Sequence, residues 1–385
     1  MHKKRKVREG VLIMKITKLE SIFVKPRWHF LKVYTDEGIV GYGEPIVEGK
    51  ARTVAMAVKE LGDYLIGQDP RRIEHLWQIL YRGSFYRGGP VLTSAISGIE
   101  QALWDIKGKW LGVPVYELLG GAVRNRIRVY AHAHGNTVEE FVENAKQKVA
   151  EGFTAIKTGF DGPVRIVDTM EYIEKCEEKI AAVRSALPKN VDIAVDLHGR
   201  FSPAMAIRIA KVLEPYGIMF LEEPCLPENV DTMVTVARST SIPIATGERL
   251  FTKWGFREVL EKQAAAVLQP DLCHCGGILE AKKIAAMAEV YYAAVAPHNP
   301  LGPISLAAGL QLDACIPNFL CQEQVSLGEG YIKEPFQVKD GYIELPTKPG
   351  LGIELDEEAL KDKIDDGSWQ SPVWFHEDDG SFGEW

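Results

Sequence analysis

The sequence predicts an α/β fold, a (β/α)7β TIM-like barrel with an α+β capping domain formed by the N-terminal segment and the C-terminal tail. Three observations predict it. A chain of 385 residues is too long for one ordinary core and short for three, which suits one large barrel beside a smaller domain. From about Arg128 onward, short apolar runs alternate with helically spaced ones, the texture of parallel βαβ units. Eight such runs end near His132, Lys157, Asp196, Glu222, Glu248, Asp271, His298 and Glu323. Most are separated by roughly 25 residues, a spacing that suits barrel units, and eight strands close a barrel better than they fill an open sheet. The expected boundaries are 14–127 for the cap, 128–335 for the barrel and 336–385 for the tail that completes the cap.

Taken in order, the residues before Met14 carry Lys3, Lys4, Arg5, Lys6 and Arg8 and read as a short solvated extension. So brief a basic run only weakly specifies a nuclear or nucleic-acid role. From Ile16 to Glu44 the pattern is strand-like. Thr35-Asp36-Glu37-Gly38 is a turn signal between Leu31-Lys32-Val33-Tyr34 and Ile39-Val40-Gly41-Tyr42, so an antiparallel hairpin is expected. The stretches 51–65 and 92–110 then space apolar residues helically, among them Ile96, Ile99, Leu103 and Ile106. After Pro335, turns at Asp340-Gly341 and Pro349-Gly350 break the barrel rhythm, and this tail is expected to pack back on the first domain.

Composition narrows the function. Hydrophobic residues at 46% and charged residues at 25% fit a soluble globular protein, and no apolar run approaches bilayer length. A net charge of −8 argues against a general nucleic-acid or membrane-surface binder, which needs a basic face. Small-molecule chemistry in the cytoplasm is the expectation. Cys176, Cys225, Cys273, Cys275, Cys315 and Cys321 are expected to be reduced thiols. Cys273 and Cys275 flank His274, but no second CxxC or HxxxH completes a zinc site.

The chemistry-bearing residues cluster at strand ends. Asp196, Glu222 and Glu248 each follow an apolar run, so all three emerge at one rim. In a parallel barrel the C-terminal strand ends converge on the active site, and three carboxylates from neighbouring strands make a hard, oxygen-rich site suited to Mg²⁺. One such acid alone could be a solvated loop residue; three at matching positions are harder to read that way. His298 ends one run and Asp271 the preceding one. A carboxylate beside an imidazole fixes its tautomer and raises its basicity, which makes a proton-abstracting dyad. His198, two residues beyond Asp196, can lean into the same cavity as a general acid. His75 and His376 read as ordinary hydrogen-bonded histidines.

Asp196-Leu197-His198, Glu222-Glu223-Pro224, Gly247-Glu248-Arg249, Gln269-Pro270-Asp271 and Pro297-His298 resemble, in order, the mandelate racemase branch of the enolase superfamily. The likeness extends through 85–90, 102–108 and 347–352, nearly the whole chain after Met14. It implies an acid-sugar dehydratase, with galactonate as first substrate, gluconate or another aldonate as alternatives, and an acid-sugar epimerase as the rival reaction. It further implies Mg²⁺ held by Asp196, Glu222 and Glu248, His298 oriented by Asp271 as the base, and His198 as the acid that protonates the departing 3-hydroxyl. Glu323 resembles the family's electrophilic acid, a role that requires it protonated. Homo-oligomers are common in the resembled family.

Two departures stand out. Family racemases carry Lys-x-Lys on the second strand, whereas Lys157 is followed by Thr158 and Gly159, which favours one-sided dehydration and leaves Lys157 to contact the substrate carboxylate. The segment 130–136 also departs from the galactonate-specific pattern. A barrel rim needs a lid against water, and the loops around Arg27-Trp28-His29 and Glu48-Gly49-Lys50 are expected to supply it, with Arg27 and Trp28 touching substrate.

Overall fold

Alternating strands feed the capping sheet. The computed structural model describes residues 14–384 together with the backbone of two short paired strands, β1 (Val7–Arg8) and β2 (Val11–Leu12). β3 (Ile16–Val24), β4 (Trp28–Thr35) and β5 (Val40–Gly43) form an antiparallel sheet, with the expected turn closed by the Thr35 N–H donating to the Ile39 carbonyl at 3.1 Å. Helices α1 (Ala51–Gly62), α2 (Ile73–Arg82) and α3 (Pro90–Leu111) cover it. β5 lies so close to α3 that a Cβ on Gly41 or Gly43 would collide with the Ala102 or Gly98 carbonyl, so glycine is required at both positions.

A single turn, α4 (Val115–Leu118), leads to β6 (Arg126–Arg128) and the barrel. Its parallel strands run in sequence order: β7 (Ala131–His132), β8 (Ala155–Gly159), β9 (Asp192–Asp196), β10 (Ile218–Glu222), β11 (Ile244–Thr246), β12 (Val267–Leu268) and β13 (Ala294–Val295). An eighth segment closes the ring through parallel bridges Val295↔Phe319 and Val129↔Gln322. Seven helices fill the crossovers: α5 (Val138–Ala150), α6 (Met170–Ala186), α7 (Pro203–Leu213), α8 (Val230–Ala237), α9 (Thr252–Glu261), α10 (Ile278–Val290) and α11 (Pro303–Cys315). Their starts follow from side-chain caps, with Thr137, Thr169, Ser202 and Asn229 each accepting from an early helical N–H. α6 shows why such helices dock: Ile173, Cys176, Ile180 and Val183 recur at helical spacing and form its buried stripe.

The barrel interior is filled by Tyr130, Ala155, Ala194, Phe220, Ala245, Val267, Ala296 and Cys321. Small residues share this layer with the two aromatic rings. The returning tail first places β14 (Tyr342–Glu344) against β6, beside the barrel rather than on the capping sheet. It reaches the cap further on, where the Leu351 N–H donates to Asp105 Oδ1 at 2.8 Å and Ile364 bridges Val24. Among the described residues no helix is long and apolar enough to cross a membrane.

Candidate active site

Strand alternation turns that interior layer into a functional rim. Side chains two apart share a face, so each interior residue is followed by another inward-facing one at the C-terminal end. Tyr130 is followed by His132, Ala155 by Lys157, Ala194 by Asp196, Phe220 by Glu222, Ala296 by His298 and Cys321 by Glu323. After β11 the alternation breaks at Gly247, whose φ of +145° delivers Glu248 to the same rim.

Asp196, Glu222 and Glu248 each offer a ligand oxygen within 4.8 Å of the others, and Glu222 Oε2 and Glu248 Oε2 are buried without a hydrogen-bond partner. Burial and the neighbouring Asp196 push Glu222 well above the usual carboxylate range, although Lys157 opposes them. Glu248 is pushed to about 7 by burial, against the pull of His298. Asp196 stays low, at about 2, because Lys157 and His198 outweigh its burial. Two orphaned oxygens and three crowded carboxylates fit a hard divalent cation, which would satisfy both.

Lys157, itself buried, binds this cluster. Its Nζ lies 2.6 Å from Glu222 Oε1, 3.3 Å from Asp196 Oδ2 and 2.8 Å from Glu323 Oε1. Burial lowers its basicity, but Glu222 and Glu323 outweigh this and hold it well above its ordinary value.

His298 Nδ1 lies 2.8 Å from Asp271 Oδ2, which turns Nε2 toward Glu248 at 3.6 Å and Glu323 at 3.9 Å. Despite burial, Glu248, Glu323 and Asp271 raise the imidazole well above its ordinary value. His198 adopts a left-handed backbone at φ 54°, its N–H donates to Asp196 Oδ1 at 2.8 Å, and its Nε2 lies 3.4 Å from Asp196 Oδ2. Asp196 favours the charged imidazole, but burial, Lys157, Arg200 and His298 together lower its pKa. Strands β9 and β13 are third and seventh of eight, so the two histidines rise from opposite sides of the barrel.

At Glu323 burial works to raise the carboxyl, yet Lys157, His298 and a hydrogen bond from His132 hold it well below the usual range, the direction opposite to the one a protonated acid requires. His132 Nε2 lies 2.7 Å from Glu323 Oε1, a site contact that the strand-end pattern of the sequence does not by itself indicate.

A cavity of about 310 Å³ joins these groups to the cap. Arg27, Val47 and Glu48 line it, with Arg27 Nη2 2.7 Å from Glu48 Oε1. Trp28 does not. It is 5% exposed and packs against Tyr331 at 4.9 Å, because it begins β4 with its side chain on the capping core. His29 is also turned inward, its Nδ1 2.6 Å from the Pro45 carbonyl. Arg249, Phe251, His274 and Ser371 also line it, with Pro90 and Pro300. Glu223 orients Arg249 through contacts of 2.5 and 3.1 Å. His274 Nδ1 meets Ser94 Oγ at 3.0 Å, while Cys273 and Cys275 are buried and burial raises both thiols well above their ordinary value.

Fold and site together define a capped barrel enzyme with a cluster of three carboxylates at its C-terminal rim. The chain belongs to the mandelate racemase/muconate lactonizing enzyme family of the enolase superfamily: residues 21–120 match that family's N-terminal domain and 140–359 match the enolase C-terminal domain-like family. It is 49% identical to D-galactonate dehydratase of Ralstonia pickettii (strain 12J) over 97% of this chain and 100% of that one. It is 48% identical to D-galactonate dehydratase of Variovorax paradoxus (strain S110) with the same coverage. Among solved structures it resembles a mandelate racemase/muconate lactonizing enzyme from Sulfitobacter sp, with a TM-score of 0.87, 38% identity, and coverage of 91% of this chain and 96% of that one. A member of the enolase superfamily from Salmonella Typhimurium superposes with a TM-score of 0.85 at 36% identity, covering 91% and 98%. The full-length relatives place the protein among the hydro-lyases.

Proposed function

We propose that the protein dehydrates an aldonate, D-galactonate first, to the 2-keto-3-deoxy acid through an enediolate. The observation that carries this reading is the pair of histidines set on opposite strands about the carboxylate cluster, with His298 Nδ1 held 2.8 Å from Asp271 Oδ2. Asp196, Glu222 and Glu248 would hold Mg²⁺. When bound, the ion supplies positive charge that matches the three carboxylates and stabilises the enediolate.

His298, with Nδ1 committed to Asp271, takes the C2 proton at Nε2. The C2–H electron pair moves into the enediolate and returns to expel the 3-hydroxyl, to which His198 gives a proton so that water leaves. The resulting enol takes up a proton at C3, releases its C2 hydroxyl proton and becomes the 2-keto acid. Lys157 positions the substrate carboxylate by charge, and Glu323, 2.8 Å from Lys157 Nζ, can hydrogen-bond that carboxylate only once it has taken up a proton. Lys157 stands among three carboxylates, which supports a binding role over that of a second base. The substrate assignment draws on the relatives' names, and a cytoplasmic homo-oligomer accompanies it.

The deciding experiment follows C2–H exchange in D₂O and 2-keto-acid formation in parallel across a panel of aldonates with added Mg²⁺. Elimination from D-galactonate at the highest kcat/KM supports the proposal. Exchange without elimination replaces it with an epimerase.

A further inference from the structure

The tail beyond Ile364 forms part of the cavity wall. The Asp365 N–H donates to the Phe23 carbonyl at 3.0 Å, and Arg52 donates to Asp366 Oδ2 at 2.7 Å and to its carbonyl at 2.8 Å, so the chain is tied to the end of β3 and the start of α1, the elements that flank the two cap loops. Trp369 then stacks on Arg27, with the guanidinium carbon 4.9 Å from the ring centroid, and Ser371 lines the cavity beside Arg27 and Glu48. The approach is backbone-close. Gly49, at φ +71°, has no room for a Cβ, which would fall 2.7 Å from Ser371 Oγ and 2.9 Å from Ser371 N.

Past the cavity the tail crosses to the barrel. β15 (Trp374–Phe375) pairs with β16 (Phe382–Gly383), Arg165 from the loop after β8 binds Asp378 and Asp379, and Arg200 from the loop after β9 sits 5.2 Å over Trp374. The tail is therefore a strap tied to the cap at 364–366 and to the barrel at 374–383, and the stretch between its ties walls the site.

We propose that Trp369 and Ser371 form a specificity-determining wall, with Trp369 holding Arg27 where it reads the far hydroxyls of a six-carbon sugar acid. The proposal rests on the dehydratase reading. A sugar acid held by its carboxylate at the barrel rim extends its remaining carbons toward the cap wall. There Arg27 donates and Glu48 accepts, the complement a sugar hydroxyl requires. Nη2 of Arg27 is already engaged by Glu48 at 2.7 Å and the Pro300 carbonyl at 3.3 Å, so stacking on Trp369 fixes the guanidinium plane and with it the direction of the remaining donors. Trp369 is a positioning residue and acts through Arg27.

The test compares kcat and KM of wild type, Trp369→Ala and Trp369→Phe on five- and six-carbon aldonates. Loss of the stack in Trp369→Ala should raise KM for six-carbon substrates about five-fold, with kcat within about two-fold and KM for five-carbon substrates unchanged. Trp369→Phe, which keeps an aromatic face, should recover most of the KM. Unchanged KM at both chain lengths, KM that rises equally at both, or loss confined to kcat overturns the proposal while leaving the dehydratase reading in place. Wild-type protein that forms no 2-keto acid from any aldonate rejects that reading, and the wall's role in sugar-acid selection with it.

Discussion

Asp271→Asn isolates what orients the base. Asp271 Oδ1 accepts from the Cys273 N–H at 2.7 Å, and Oδ2 meets His298 Nδ1 at 2.8 Å. The substituted amide has the same shape but one acceptor oxygen. Keeping the buried Cys273 N–H satisfied places that oxygen at the Oδ1 position and turns the NH₂ toward the imidazole. Nδ1 must then accept, so the neutral ring carries its proton on Nε2, where the base lone pair is needed. Losing a charge-assisted hydrogen bond costs about 1.5–3 kcal/mol, a factor of roughly 10 to 150, and the wrong tautomer removes general-base catalysis worth about 10²–10⁴. These overlap, so kcat should fall by roughly 10²–10⁴ with the thermal midpoint little changed. The assay is C2–H exchange in D₂O followed by NMR. A variant that exchanges within ten-fold of wild type would show that Asp271 does not set the tautomer, and the argument for His298 as base would lose its support.

Other outcomes follow from the same geometry. His198→Asn should leave exchange intact while 2-keto-acid formation slows by roughly 10²–10⁴, the size of a missing general acid; equal loss of both would move His198 into proton abstraction. Glu222→Gln should weaken Mg²⁺ binding at least ten-fold, about 1.4 kcal/mol, in titration calorimetry, with unchanged circular dichroism. Trp28→Ala should lower unfolding free energy by about 3–5 kcal/mol in urea melts and leave KM alone, since the ring belongs to the capping core. His29 is buried, and burial lowers its pKa from 6.5 to about 4 despite the Pro45 carbonyl. Between those values the unfolded chain binds the extra proton, so stability falls as pH drops through this window, by up to about 1.4 kcal/mol per pH unit. His29→Gln should flatten that slope in denaturant melts run from pH 7 to pH 4.

The barrel was legible because its signal is local and repeated: each apolar run ends in a polar residue, and the strand period carries that residue to the rim, as with Ala194 and Asp196. The capping contacts were not. Whether Arg27 or Trp28 faces the cavity depends on which residue begins β4, and a one-residue shift exchanges the two faces. α2 and its histidine had no sharp start signal, and Arg72 at its N-terminus makes no side-chain cap. His132 could have been found by treating its strand end like the others, since it occupies the same inward register as Lys157. Ser371 and Trp369 lie far along the chain from any motif, and only the folded tail brings them to Arg27. The lowering of the Glu323 pKa needed three dimensions as well, because it comes from Lys157, His298 and His132 on three other strands.

Lys157 bears on how the site is assembled. A floor of carboxylates with nothing to oppose it would repel itself while the chain collapses, and many such centres cannot fold until an ion arrives. Here an internal ammonium from the neighbouring strand supplies part of the counter-charge. If the cluster takes up a cation, folding and loading would then be separable events: the chain would reach its native form without the ion, and a chelator would strip the site without unravelling the barrel.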